Sequence, residues 1–169
     1  MLNRLTLLRH AKSSWNERNQ HDFDRPLNKR GEKDAPNIGR LLRQQKFSPQ
    51  IIVSSSAVRA RTTAVHIARE IEHPAANIQF SRSLYLASAQ TLLQTLANLA
   101  TSYQDVLIVG HNPGITSAAN LVGNASVENM PTCGAISFLF EINDWRELAV
   151  NPGEMDWFFT PKMSLQQDK

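Results

Sequence analysis

An α/β fold built on a mostly parallel sheet is the architecture this sequence predicts, and three observations predict it. Short apolar, β-rich runs recur at Leu5-Thr6-Leu7-Leu8, Ile51-Ile52-Val53 and Val106-Leu107-Ile108-Val109. Stretches of helical periodicity lie between them, the alternation that right-handed crossovers between parallel strands produce. In the last third the β-patterned segments are separated by turn signals alone, which predicts an antiparallel edge.

Taken in order, the first strand is expected at about residues 4–9. A polar loop carrying Trp15 follows, through Asp22-Phe23-Asp24-Arg25-Pro26-Leu27. Asn28 can cap a helix over about 29–45, with Ala35, Ile38, Leu41 and Leu42 on its inward face. Pro36 lies inside that helix and is expected to kink it or shorten its first turn. A strand at 51–54 leads into a helix over 57–71, whose apolar candidates are Val58, Ala64, Val65, Ala68 and Ile71. A short strand near 78–80 precedes a helix over 88–99 carrying Leu92, Leu93, Leu96 and Leu99. The strand at 106–109 runs into a helix over 114–122. Segments 135–142, 145–150 and 157–159 read as a β-meander, parted by Asn143-Asp144 and Asn151-Pro152-Gly153. No repeat, low-complexity tract or linker divides the chain, so residues 1–169 are expected to form a single domain.

Composition narrows the class. A chain of 169 residues can bury roughly two thirds of its unfolded surface. Hydrophobic content of 41% and charged content of 20% suit a globular protein that needs no disulfide or metal to fold. The single cysteine, Cys133, cannot form an internal bridge and reads as a small apolar filler in a reducing compartment. The net charge is +3, but its basic residues are dispersed; Arg40, Arg43 and Lys46 read as one solvated helix face. Without a basic stripe interleaved with aromatics, no nucleic-acid partner is expected. The amino-terminal strand, broken by Arg4 and Arg9, is too charged for a signal peptide, and no run approaches a membrane span. A cytoplasmic monomer with no membrane partner is expected.

The chemistry gathers at strand ends. Arg9-His10 closes the first apolar run, Gly110-His111-Asn112-Pro113 closes the fourth, and Ser54-Ser55-Ser56-Ala57-Val58-Arg59 delivers an arginine just after the second. In an open α/β sheet the carboxyl ends of parallel strands converge on one crevice. A lone histidine there is ordinarily a solvated loop residue; the ordered set is not. Phosphoryl transfer needs fixed positive donors, and the arginine forks of Arg9 and Arg59 match phosphate oxygens. His10 offers a nucleophilic imidazole nitrogen, and His111 a donor to a phosphate oxygen. Competing chemistries lack support. There is neither a G-x-x-x-x-G-K-(S/T) nor a G-x-G-x-x-G loop, and no G-x-S-x-G elbow surrounds Ser54-Ser55-Ser56. His21, Asp22 and Asp24 read as solvated rather than as metal ligands, and His66 and His73 as surface residues. No metal or other cofactor is expected.

Arg9-His10-Ala11-Lys12-Ser13-Ser14-Trp15-Asn16 resembles the R-H-G-(E/D)-T-x-x-N signature of the histidine phosphatase superfamily, which includes the cofactor-dependent phosphoglycerate mutases. Ser54-Ser55-x-x-x-Arg59-Ala60-x-x-Thr63-Ala64 is similar to its second motif and Gly110-His111-Asn112-Pro113-Gly114 to its third. Asp24-Arg25-Pro26-Leu27-Asn28-x-x-Gly31 resembles the D-R-P-L-T-x-x-G segment of the short SixA branch, the phosphohistidine phosphatases. The resemblance spans roughly residues 3–140, with its motifs in order.

It implies a phosphoglycerate mutase-like three-layer fold with helices on both faces of the sheet. It further implies that His10 is the phosphorylated nucleophile, that Arg9, Arg59 and His111 form the phosphate pocket, and that Asn16 adds an oxygen contact. Two departures stand out. Ala11 replaces the usual glycine, and the stretch 81–88 has no Asp or Glu where larger members place a general acid. An imidazole leaving group needs that proton less than an alkoxide does. With roughly fifty residues between Arg59 and His111, a large lid is also excluded. The expected substrate is therefore a histidine-phosphorylated protein, such as a phosphotransfer or phosphocarrier domain, and the expected role signal transduction. Glu17, Asp22 or Asp24 would alter that expectation by reaching the leaving group. The rivals are a phosphatase of small phosphomonoesters and a non-catalytic phosphate- or phosphoprotein-binding module.

Overall fold

The computed structural model describes residues 2–164. Its strands are β1 (Leu2–Arg9), β2 (Ile51–Ser55), β3 (Ile78–Ser81), β4 (Asp105–Gly110), β5 (Ala135–Glu141) and β6 (Glu154–Phe159). They form one sheet in the order β3-β2-β4-β1-β5-β6, with β1 to β4 parallel and β5 and β6 antiparallel. Helices α1 (Lys29–Gln44), α2 (Val58–Glu70), α3 (Ala89–Ala97) and α4 (Gly114–Gly123) cover it. This is the predicted α/β class: a mostly parallel sheet with an antiparallel edge.

Alternating side chains feed two cores. Leu5, Leu7, Val106 and Ile108 face α3 and α4 beside Ile136, Phe138 and Phe140 of β5, whereas Leu8, Ile52, Leu107 and Val109 face α1 and α2. Strands buried on both faces carry apolar residues on both, which is why β4 and residues 5–8 of β1 read as apolar runs, with the buried Thr6 hydrogen-bonded to Ser137.

Three expectations need correction. Residues 145–150 are not a strand; Trp145–Ala149 is a short 3-10 helix. The Asp144 carboxylate accepts the Arg146 N–H at 2.8 Å, and Glu147 Oε1 accepts the Asp144 N–H at 3.0 Å. That reciprocal cap outweighs a weak strand pattern. Val65 is exposed, because the inward stripe of α2 is Ala60, Ala64, Ile67 and Ala68, and Val65 falls 100° off it. Pro36 does not shorten α1, whose first turn is held by Asn28 Oδ1 accepting the Gly31 N–H at 2.9 Å.

The amino-terminal ends of the parallel strands carry a strained carboxylate. Arg4 spends its shortest bond, 2.6 Å, on Asp156 and approaches Asp105 only to 3.7 Å. Asp105 Oδ1 is buried and has no hydrogen-bond partner among the described residues. Burial pushes the Asp105 carboxyl up to about 6, against the opposing charge of Arg4. The native state thus holds this proton more tightly than the unfolded chain, and stability is lost as pH rises through about 6. Asp105→Asn is expected to stabilise the fold by about 1–3 kcal/mol at pH ~7.5 and by nothing near pH ~4, measured by urea denaturation.

Candidate active site

The loops after β1, β2 and β4 meet because β4 lies between β1 and β2, with Arg9 opposite Gly110 and Ser54 opposite Val109. They enclose a cavity of about 330 Å³ lined by Arg9, His10, Arg59 and His111, together with Asp22 and Arg25. The His10 and His111 ring centres are 5.1 Å apart.

His10 follows β1 directly, and its N–H donates to Gly110 O at 3.0 Å. Its Nδ1 lies 2.7 Å from Ala11 O, and a carbonyl can only accept, so Nδ1 carries the proton. Nε2 therefore presents its lone pair, facing Arg59 Nε at 3.3 Å. Burial holds the His10 imidazolium down to about 4, against the Ala11 carbonyl and together with the charges of Arg59, Arg9 and Arg25. The ring is neutral and nucleophilic at physiological pH.

Arg59 sits in the first turn of α2 and is 2% exposed. Nη1 donates to Asp22 O at 2.6 Å and Nη2 to Asp22 Oδ2 at 2.9 Å. Thr63 ties this helix to the loop after His10 by accepting the Ala11 N–H at 3.0 Å and donating to Arg59 O at 2.7 Å. Ala11 is fully buried beneath these bonds and is not among the residues of positive φ, so its methyl needs no glycine. Gly31 does: a Cβ there would lie 2.1 Å from Lys12 O, which accepts the Asn28 N–H. Gly114 is equally constrained by Ala87 O, 1.8 Å from where its Cβ would stand.

His111 Nε2 lies 2.8 Å from Ser55 Oγ, while its buried Nδ1 has no partner among the described residues. Burial, with the neighbouring His10 and Arg59, lowers its pKa to about 3, so this ring too is neutral. Arg9 Nη1 donates to Met130 O at 2.8 Å, and its buried Nε has no partner among the described residues.

Sequence reasoning assigned no role here to Arg25 or Tyr85, and it named Asp22 only as a carboxylate that could reach the leaving group. Asp22 does reach the cavity; Glu17 and Asp24 do not line it. Burial would raise the Asp22 carboxyl, but hydrogen bonds from Tyr85 and Arg59 and the charge of Arg59 hold it down to about 2. It is ionised and has no proton to give at neutral pH. Arg25 binds Asp22 Oδ1 at 3.0 Å and Ser13 Oγ at 2.9 Å, and its guanidinium stacks 3.4 Å from the Trp15 ring centre. Asn16 is exposed and does not line the cavity. The D-R-P-L segment carried a signal for Arg25; the Tyr85 hydroxyl, which donates to Asp22, had none.

The profile of the histidine phosphatase superfamily (branch 1) matches residues 5–84. An uncharacterized chloroplastic protein of Arabidopsis thaliana is 34% identical over 162 residues, covering 91% of this chain and 74% of its own. The crystal structure assigned as phosphohistidine phosphatase SixA of Agrobacterium tumefaciens superposes with a TM-score of 0.78 at 30% identity, over 94% of this chain and 98% of that one. The protein histidine phosphatase SixA complexed with tungstate gives a TM-score of 0.80 at 18% identity, over 95% and 98%, a likeness of fold. Among the described residues no helix is long and apolar enough to cross a membrane.

Proposed function

The chain belongs to the histidine phosphatase superfamily, and from that premise we propose that it is a metal-independent phosphatase acting on phosphohistidine in a protein, through a phosphorylated His10. The observation that carries this reading is the His10 ring itself. Its Nδ1 is fixed by the Ala11 carbonyl, and its Nε2 lone pair stands 3.3 Å from the Arg59 guanidinium. Phosphorus arriving at Nε2 brings its oxygens to a donor already in place, so little reorganisation is needed in the transition state.

Nε2 forms a bond to phosphorus as the bond to the leaving imidazole breaks. Water then attacks phospho-His10, releasing phosphate and returning the electron pair to Nε2. Arg9 and Arg59 hold the phosphoryl oxygens. His111 completes the set: Ser55 Oγ can donate to its Nε2, which places the remaining proton on the unpartnered Nδ1.

The leaving group decides the substrate. Asp22 is the one carboxylate lining the cavity among the described residues, and it is ionised. A sugar or glycerate alkoxide would depart without a proton donor; an imidazole departs more readily. The SixA assignment of a relative 30% identical supports the same choice. The test compares kcat/KM in EDTA on a phosphohistidine carrier protein with a panel of sugar, glycerate and nucleotide monophosphates. The protein is expected to lead by orders of magnitude. A metabolite turned over faster would make this a small-molecule phosphatase; binding without turnover of any substrate would make it a phosphate-binding module.

A further inference from the structure

We propose that Trp15 and Leu86 form an apolar lip at the mouth of the His10 cavity that seats the partner protein's surface beside its phosphorylated histidine. This rests on the phosphohistidine reading and adds how the substrate is chosen.

Both side chains line the cavity's mouth, and both are turned to solvent, Trp15 at 73% exposure and Leu86 at 55%. They come from separate segments, the loop after β1 and the loop after β3. Neither is loosely held. The Trp15 ring lies against the Arg25 guanidinium, whose nitrogens are committed to Asp22, Ser13 and Ser14. A pre-ordered indole loses little freedom when a partner covers it, and aromatic anchors of this kind carry much of the energy of interfaces.

Leu86 is displayed at a cost. Its φ is 51°, a left-handed conformation disfavoured for any residue with a Cβ. The neighbours impose it. Tyr85 is tied through its hydroxyl to Asp22, and Ala87 O packs against Gly114 at the start of α4. Glycine would relieve this backbone, yet the position carries leucine with its side chain in water. Core packing does not account for an exposed leucine, nor does phosphate binding, which is polar. Strain held at the mouth of a site is accounted for by something that covers it.

The chemistry of the lip selects the occupant. The floor of the cavity is cationic and takes the phosphoryl group, while the mouth sets the exposed indole of Trp15 and isobutyl of Leu86 beside Lys12, Asn112 and Thr132. A sugar or glycerate would leave the indole and the isobutyl uncovered. A protein whose phosphohistidine is flanked by apolar side chains brings the matching surface.

The experiment measures kcat/KM for a phosphohistidine carrier protein and for free phosphohistidine, in wild type, Leu86→Gly and Trp15→Ala. Taking the ratio removes any disturbance of the pocket shared by both substrates. The ratio of protein to free substrate is expected to fall at least tenfold in each variant, through KM, while Leu86→Gly unfolds at the same or a higher temperature because its backbone strain is gone. A ratio unchanged within twofold in both variants overturns the lip. Wild-type protein that hydrolyses neither substrate overturns the phosphohistidine reading and the lip with it.

Discussion

His10→Ala is expected to abolish turnover, with a loss on the order of 10⁵–10⁶ in kcat and no acid-labile phosphoenzyme in a rapid quench. Alanine removes the imidazole nitrogen whose lone pair faces Arg59 Nε, and the water left behind has no such orientation. Binding should survive, because Arg9, Arg59 and His111 are untouched; inorganic phosphate is expected to bind within a few-fold of wild type by calorimetry. Loss of turnover with binding retained separates a nucleophile from a structural residue. The intact ring adds an independent check by nuclear magnetic resonance titration. With its imidazolium held down to about 4, His10 should stay neutral as pH falls through 6.5 and protonate only near 4. A midpoint near 6.5 would remove the basis for its reactivity at physiological pH.

Arg59→Ala is expected to cost about 10²–10³ in kcat, the magnitude of losing a preorganised oxyanion donor. Arg59→Lys should recover little of it, since an ammonium cannot place one edge on Asp22 and another on His10 at once. The guanidinium does both, with Nη1 and Nη2 on Asp22 and Nε on His10. Asp22 therefore positions Arg59, and the two substitutions should not add. Arg59→Ala combined with Asp22→Ala is expected to lose less than the sum of the single losses, measured by kcat/KM in a double-mutant cycle. Full additivity would mean that Asp22 and Arg59 act separately.

The parallel half of the fold was legible because burial on both faces leaves a local mark. β4 and residues 5–8 of β1 stand out as apolar runs, and a histidine follows each strand, so Arg9, His10 and His111 could be named from strand ends alone. The inward face of α1 was equally legible from its spacing, with Ala35, Ile38, Leu41 and Leu42 all buried. The antiparallel edge was legible as a class but not in detail. Trp145–Ala149 became a 3-10 helix through two side-chain caps that compete within a single turn, where hydrophobic period carries almost no information.

The sequence by itself determined that Arg9, His10, Arg59 and His111 would stand at the carboxyl ends of parallel strands. Only the tertiary structure decided which of them meet. Asn16 and Asp22 belong to the same irregular loop, which has no period to assign a direction; Asn16 is left in solvent, while Asp22 is drawn into the cavity. What draws it is distant in the chain: Arg59 from α2 and Tyr85 from beyond β3. Those three residues come together only through the strand order β3-β2-β4-β1, which sets each loop beside its neighbour. The ionised state of Asp22 and the neutral state of His10 follow from that assembly, because a pKa responds to burial and to charges through space.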